Sequence, residues 1–168
     1  MLSVVIPVYN EELLIDELVK RTIPAVGSFI SDYEVIFVDD GSTDNTLSKL
    51  LSLRAENKSI KVLSLSKNFG HQAAFTAGLE HARGDLVAMM DGDLQDPPEI
   101  LEEMYRKITL EGFDIVSGKK TGRKGKRGRN SYSLFFHLLF KNIGEIKEME
   151  NSGNFSMMTR EAVNALLY

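Results

Sequence analysis

Short β-branched runs alternate along this chain with longer stretches in which apolar residues recur every three or four positions. Leu2–Val8, Glu34–Val38, Ile60–Leu65, Asp85–Met90 and Phe113–Ser117 read as strands, mostly apolar throughout, as strands covered on both faces are. A helix is predicted from about Glu11, with Asn10 as its cap and Leu14, Ile15, Leu18 and Val19 as its apolar stripe. A second helix follows Thr43 or Asp44 and turns Leu47, Leu50, Leu51 and Leu53 inward. The Ala-rich segment from His71 to Ala82 and the segment Pro98–Ile108 give two more, the last opened by Pro98. Strands and helices in this order build βαβ units. The predicted fold is α/β: a mainly parallel, Rossmann-like sheet with helices on both faces.

The pattern breaks after Ser117. Seven basic residues fall between Lys119 and Arg129, interleaved with glycine, and this tract reads as a mobile loop that cannot pack a core. Leu134–Phe140 is strongly apolar, with His137 inside it, and fits either core burial or contact with lipid. An acidic link over Glu145–Glu150 leads to a short strand at Gly153–Met158 and a last helix from about Arg160.

Composition narrows the classes. The 168 residues suffice for one domain with a real core, and 1–168 is read as a single domain. The absence of cysteine excludes disulfide and thiolate chemistry. A net charge of −4 argues against bulk nucleic-acid binding, so the basic tract is a local feature for an anionic partner. No apolar run approaches the ~18 residues of a membrane span. The chain opens on a strand rather than a signal peptide.

Candidate chemistry gathers just past the predicted strand ends, where ligands of open α/β sheets bind. The apolar Leu86–Met90 run ends in Asp91-Gly92-Asp93-Leu94-Gln95-Asp96. Asp91 and Asp93 are two apart and point the same way if strand geometry persists. Such a pair suits a hard divalent cation, Mg²⁺ or Mn²⁺, held against a diphosphate, and Gln95 offers a further oxygen. The plainer reading is a solvated turn. Asp39 and Asp40 either cap the next helix with Ser42 and Thr43, or accept hydrogen bonds from a base and a ribose. Asn10-Glu11-Glu12 reads as a helix cap that can also serve as ligand. His71 and His81 read as structural or surface residues. Within the basic tract Lys120, Arg123, Arg127 and Arg129 are candidates for gripping an acceptor phosphate, against the simpler reading of a solvated charge run.

Taken together, Pro7-Val8-Tyr9-Asn10-Glu11, Val38-Asp39-Asp40-Gly41-Ser42, Asn68-Phe69-Gly70-His71-Gln72, Asp91-Gly92-Asp93-Leu94-Gln95-Asp96-Pro97-Pro98-Glu99 and Ser152-Gly153-Asn154-Phe155 resemble the successive motifs of family-2 glycosyltransferases. Within that family the sequence is most similar to polyprenyl-phosphate glycosyltransferases. The resemblance covers essentially the whole chain, with the Asp-x-Asp motif at Asp91 and Asp93. It implies a GT-A fold, a UDP- or GDP-sugar donor, a divalent metal and inverting transfer of a hexose to a polyprenyl phosphate. It implies nucleoside contacts from Pro7, Tyr9, Glu11, Val38 and Asp40, with Asp91 and Gly92 at the ribose and donor. Asp91, Asp93 and Gln95 become the metal set. Asp93, Asn154 and Lys120 become the catalytic group, with Lys120 standing where relatives often carry an arginine.

One position departs from the pattern. Asn154 stands where several relatives carry an aspartate taken as general base, and an amide cannot accept that proton. A lipid monophosphate needs no base, because with a second pKa near ~6 much of it is already dianionic at neutral pH. Two other readings remain open: a family-2 transferase acting on a glycan hydroxyl, and a non-catalytic nucleotide-sugar-binding module. The resemblance further implies a soluble catalytic domain cut before C-terminal membrane segments, working at the cytoplasmic face of a membrane. The membrane surface is then a partner, nucleic acid is not, and homo-oligomerisation is open.

Overall fold

The computed structural model describes residues 1–119 and 152–168. The basic tract from residue 120 onward, the apolar run 134–140 and the acidic link 145–150 lie outside the described residues.

Six strands form one sheet: β1 (Leu2–Val8), β2 (Tyr33–Asp39), β3 (Ile60–Ser64), β4 (Leu86–Met89), β5 (Ile115–Lys119) and β6 (Ser152–Thr159). Their order across the sheet is β3-β2-β1-β4-β6-β5. β1 pairs in parallel with β2 and β4, and β2 with β3. β6 alone is reversed, antiparallel to both β4 and β5. The expected mainly parallel sheet is what is observed.

Among the described residues five helices cover it: α1 (Ile15–Gly27), α2 (Thr46–Glu56), α3 (His71–His81), α4 (Leu101–Glu111) and α5 (Arg160–Leu167). A single 3₁₀ turn, Pro98–Ile100, leads into α4. Strand alternation sorts the core into two layers. Val4, Ile6, Val35, Phe37, Ala88 and Met157 pack with Ile15 and Leu18 of α1, Leu50 of α2, and Leu101 and Met104 of α4. Val5, Ile36, Val38, Val87, Met89 and Met158 pack with Ala74, Phe75 and Leu79 of α3 and Val163 of α5. Both faces are therefore covered, which is why the strands carry so few polar positions.

Several local expectations shift. The first helix starts at Ile15, not Glu11, and Asn10 does not cap it. Asn10 has a positive φ of 54° and its side-chain oxygen accepts the Thr43 N–H at 2.8 Å instead. Neither Thr43 nor Asp44 holds the N-cap position of α2, which falls to Asn45, although Asp44 Oδ1 accepts the Thr46 N–H at 2.9 Å. Leu50 is fully buried on α2, whereas its neighbour Leu51 is 46% exposed and does not face inward. The fifth strand begins at Ile115 rather than Phe113, leaving the Phe113 ring exposed.

Candidate active site

β1, β2 and β4 run parallel, so their C-terminal ends share one edge. Chain order puts β2 and β3 on one side of β1 and β4 on the other, so the sheet's topological switch point lies between β1 and β4. Tyr9–Glu11 leaves β1 there, Asp40 leaves β2 and Asp91–Asp93 leaves β4.

The floor of this edge is a cross-linked pair of loops. The Asn10 N–H donates to Ser42 Oγ at 2.9 Å, and the Glu11 N–H to Thr46 Oγ1 at 2.8 Å. The Glu12 N–H donates to Asp44 Oδ2, while Glu12 Oε2 accepts both the backbone and side-chain N–H groups of Asn45 at 2.9 Å. Lys49 Nζ closes the set on the Glu12 carbonyl at 2.7 Å and on Asp16. The N–H groups of Asn10, Glu11 and Glu12 are thus taken up by the loop before α2 and its first residue, while the Glu11 carbonyl accepts the N–H groups of Leu14 and Ile15 where α1 begins.

Asp40 is buried, and its two carboxylate oxygens accept the backbone N–H groups of Phe69 and Gly70 at 2.8 and 2.9 Å. Both oxygens are thus engaged in holding the Phe69–Gly70 turn. Gly41, at φ 70°, lies so close to the Lys67 backbone that any Cβ would collide with it. Asp39 is buried too, and its two oxygens accept from the Ser42 N–H and Ser64 Oγ–H at 3.2 Å. Its role in this structure is to hold the loop. Tyr9 and Phe69 are exposed aromatics at this edge, with Lys67 Nζ 5.1 Å from the centre of the Phe69 ring.

β4 ends at Met89, so the strand pleat does not carry through Asp91 and Asp93. A turn takes over. Asp96 Oδ2, buried, accepts the Asp91 N–H at 3.1 Å, and Asp93 Oδ1 accepts the Gln95 N–H at 3.0 Å around Leu94, whose φ is 62°. Gly92 lies against the end of β1: a Cβ there would stand 2.8 Å from the Pro7 carbonyl oxygen and 2.9 Å from Val8 Cγ1. This close approach lays the Asp91–Asp93 turn across the β1 terminus.

The two acids turn to different neighbours. Asp91, 24% exposed, has Oδ1 at 2.9 Å from His71 Nε2. Asp93 is exposed, and its charge reaches Glu11. Burial first, then the charges of Asp93 and Asp44, push the Glu11 carboxyl above its ordinary value. Burial also acts to raise Asp44, but hydrogen bonds from Thr46 and Glu12 outweigh it and hold that carboxyl below its ordinary value.

His71 was not expected at the site. It is the first residue of α3, its ring stands edge-on to Phe75 at 4.7 Å, and its Nε2 lies 3.0 Å from the Asn154 side-chain amide as well as against Asp91. Antiparallel β6 makes this possible. Its pairing sets Met89 beside Ser156, so its beginning, with Asn154, lies at the same edge as the end of β4. The signal in the sequence was the position of His71 directly after the Asn68-Phe69-Gly70 turn that Asp40 grips. The predicted phosphate-gripping residues Lys120, Arg123, Arg127 and Arg129 lie outside the described residues, as does His137.

Among the described residues no group of three or more His, Cys, Asp or Glu side chains is placed to hold a metal ion. The donors on offer, Asp91, Asp93 and Gln95, are all oxygen and include two carboxylates. That is the set with which Mg²⁺ or Mn²⁺ is held when substrate phosphate and water complete the shell. Burial is the larger cause of the raised Glu11 carboxyl, and the charges of Asp93 and Asp44 that add to it have the sign a cation relieves.

Carboxylates gathered past the strand ends, at the switch point of a mainly parallel sheet with helices on both faces, fit the architecture of GT-A glycosyltransferases, and solved structures of that class share the fold. TarS 1-349 from S. aureus in complex with UDP-GlcNAc matches with a TM-score of 0.70 and 25% identity, over 97% of this chain and 46% of that one. The mannosyltransferase PcManGT from Pyrobaculum calidifontis, in complex with GDP-Man and Mn²⁺, shares the fold with a TM-score of 0.66 and 22% identity, over 98% of this chain and 46% of that one. The chain belongs to glycosyl transferase family 2, whose pattern matches residues 3–167. An uncharacterized glycosyltransferase of Synechocystis sp., sll0501, is 39% identical over 98% of this chain and 52% of its own length. The uncharacterized glycosyltransferase YkcC of Bacillus subtilis is 36% identical over 98% of this chain and 51% of its own. The chain spans about half the length of these relatives. Family and relatives alike make it a transferase domain.

Proposed function

We propose that this domain binds a nucleotide-diphosphate sugar at the switch-point edge and transfers its hexose, with inversion, to a polyprenyl phosphate. One observation carries the reading. The Asp91-Gly92-Asp93 turn lies against the end of β1, with the Asp93 charge reaching Glu11, so carboxylates that leave β1 and β4 come together at one edge of the sheet. The UDP-GlcNAc held by the TarS neighbour supports a donor of that class.

In this reading Pro7, Tyr9, Glu11 and Val38 line the nucleoside, and Asp40 offers its remaining lone pairs to a base N–H while its loop contacts stay in place. Asp91, Gly92 and Gln95 face the ribose and diphosphate. Asp91, Asp93 and Gln95 would hold Mg²⁺ or Mn²⁺, which when bound offsets charge developing on the departing diphosphate. Lys120, Arg123, Arg127 and Arg129 belong to the proposal as the grip on the acceptor phosphate.

The proton count favours a phosphate acceptor. A phosphate oxygen of the dianionic acceptor forms the new bond to the anomeric carbon. The bond from that carbon to the donor's diphosphate oxygen breaks, and the nucleoside diphosphate leaves with the electron pair. No proton moves, and Asn154 cannot take one. A sugar hydroxyl would have to lose a proton, which calls for a base at this position. Asn154 then orients the acceptor through its amide.

A thermal-shift panel of UDP- and GDP-sugars with Mg²⁺ or Mn²⁺ tests the donor half: one nucleotide class raises Tm, and only when metal is present. No shift from any donor removes the reading. Transfer assays with polyprenyl phosphate and with an oligosaccharide test the acceptor half, and transfer to the oligosaccharide alone rejects it.

A further inference from the structure

His71 Nε2 faces two partners that cannot both be served in the obvious way. It lies 2.9 Å from Asp91 Oδ1 and 3.0 Å from the Asn154 amide nitrogen. A single imidazole nitrogen carries either one hydrogen or one lone pair. A carboxylate only accepts, so the contact with Asp91 requires a hydrogen on Nε2. A hydrogen-bearing Nε2 cannot then accept from the Asn154 NH₂ group. The conflict disappears if the Asn154 amide is turned over, presenting its oxygen to the same N–H. Amide orientation is assigned from such networks rather than seen directly.

We propose that His71 is a positioning residue whose one Nε2 hydrogen is shared between Asp91 and the side-chain oxygen of Asn154, tying the donor side of the site to β6. The arrangement frees the Asn154 NH₂ to point away from the ring as a donor for an anionic group, the chemistry of an acceptor phosphate. The ring itself is fixed from behind. Phe75 stands edge-on to it one turn along α3, and the α3 start is tied down by the Asp40 contacts to Phe69 and Gly70. Asp91 and Asn154 reach the site from adjacent antiparallel strands, β4 and β6, that share no loop among the described residues. The His71 hydrogen is a side-chain link between them. An aspartate at position 154 would compete with Asp91 for that hydrogen, so the asparagine and the histidine belong to one design. The inference rests on the transferase reading for its kinetic consequence, but not for its geometry.

Two measurements separate those levels. Long-range ¹H–¹⁵N NMR of the imidazole, on the ligand-free protein, reads whether Nε2 carries hydrogen. A protonated Nε2 is expected, in a neutral or a charged ring, and a bare Nε2 overturns the proposal whatever the protein catalyses. The second measurement compares His71→Gln, which keeps an N–H₂ donor, with His71→Phe, which keeps a ring and loses the hydrogen. His71→Phe should lower kcat on the order of 10–100-fold, the usual effect of removing a partner that orients a ligand side chain. Its KM for the donor should move less. His71→Gln should recover to within a few-fold of the parent, and equal activities of the two variants overturn the proposal. Failure of the parent protein to bind any nucleotide sugar would instead remove the transferase reading, and the NMR result would still decide the role of His71.

Discussion

Glu11 lies within reach of the charges of Asp93 and Asp44. Its carboxyl is raised by burial and by Asp93 and Asp44, so the folded state binds its proton more tightly than the unfolded chain does. The sign follows. The stabilising contribution is complete below the unfolded value near 4.5 and is lost as pH rises through the raised folded value. Urea unfolding at a series of pH values should therefore show a stability loss above about pH 4.5 that Glu11→Gln reduces. Identical slopes in parent and variant would show that neither burial nor the charges of Asp93 and Asp44 raise the Glu11 carboxyl. Asp40 offers a second test. Asp40→Asn sets an NH₂ where one of two backbone N–H groups now finds an acceptor, leaving a buried donor unpaired at about 1–3 kcal/mol. Hydrogen exchange at the Phe69 and Gly70 amides should speed up in this variant more than exchange in β1. His71, by contrast, could not be ranked from its residue type. A lone histidine at a helix start is ordinary, and only the folding of β6 against β4 gives it two site partners.

The placement of α3 depends on an absent side chain. Gly78 lies so close to β1 that a Cβ there would collide with Val5 Cγ1 and stand 3.0 Å from Val38 Cγ2. Gly78→Ala should destabilise the fold by about 1–3 kcal/mol, the range for overpacking a tight core, as measured by chemical denaturation. An unchanged midpoint would mean that α3 can ride further from the sheet. Elements of this kind were legible where their pattern was local. The alternation of β1, β2 and β4 and the stripe Ile15, Leu18, Val19 are properties of neighbouring residues. The start of α1 was not legible, because Asn10, Glu11 and Glu12 bond to Ser42, Thr46, Asp44 and Asn45, partners some thirty residues away. Propensity favoured a cap at Asn10, and tertiary hydrogen bonds overrode it.

The two edges of the sheet do different work in the whole molecule. At the N-terminal edge of the parallel strands, buried Glu34 accepts from Ser3 Oγ–H at 2.8 Å and from the Arg83 N–H at 3.0 Å. Ser3 Oγ accepts the Gly84 N–H, and the Arg160 guanidinium donates to the Ala82 and Gly84 carbonyls. Every one of these groups is occupied in holding β1, β2, β4 and α5 together. At the opposite edge, the charges of Asp93 and Asp44 both reach Glu11. A crossed pair of variants follows. Glu34→Ala should lower unfolding free energy by about 1–3 kcal/mol while leaving donor affinity as it was. Asp93→Ala should keep Tm within a degree or so and abolish metal-dependent donor binding in a calorimetric titration with Mn²⁺, since an exposed side chain adds little to stability. A destabilised Asp93→Ala that still binds donor would reverse the division. No helix among the described residues is long and apolar enough to cross a membrane.

The sequence by itself determined the layered α/β sheet, the strand ends at which carboxylates appear, and the family, because periodicity and short motifs are written in residues close together along the chain. The tertiary structure decided which of those carboxylates reach the surface and which are buried holding loops. It buried both Asp39 and Asp40 in hydrogen bonds that hold loops, sent Asp91 to His71 and Asp93 toward Glu11, and reversed β6 so that Asn154 arrives beside His71. Pairings between residues eighty positions apart depend on strand order and direction, and neither is encoded in any single stretch of the chain.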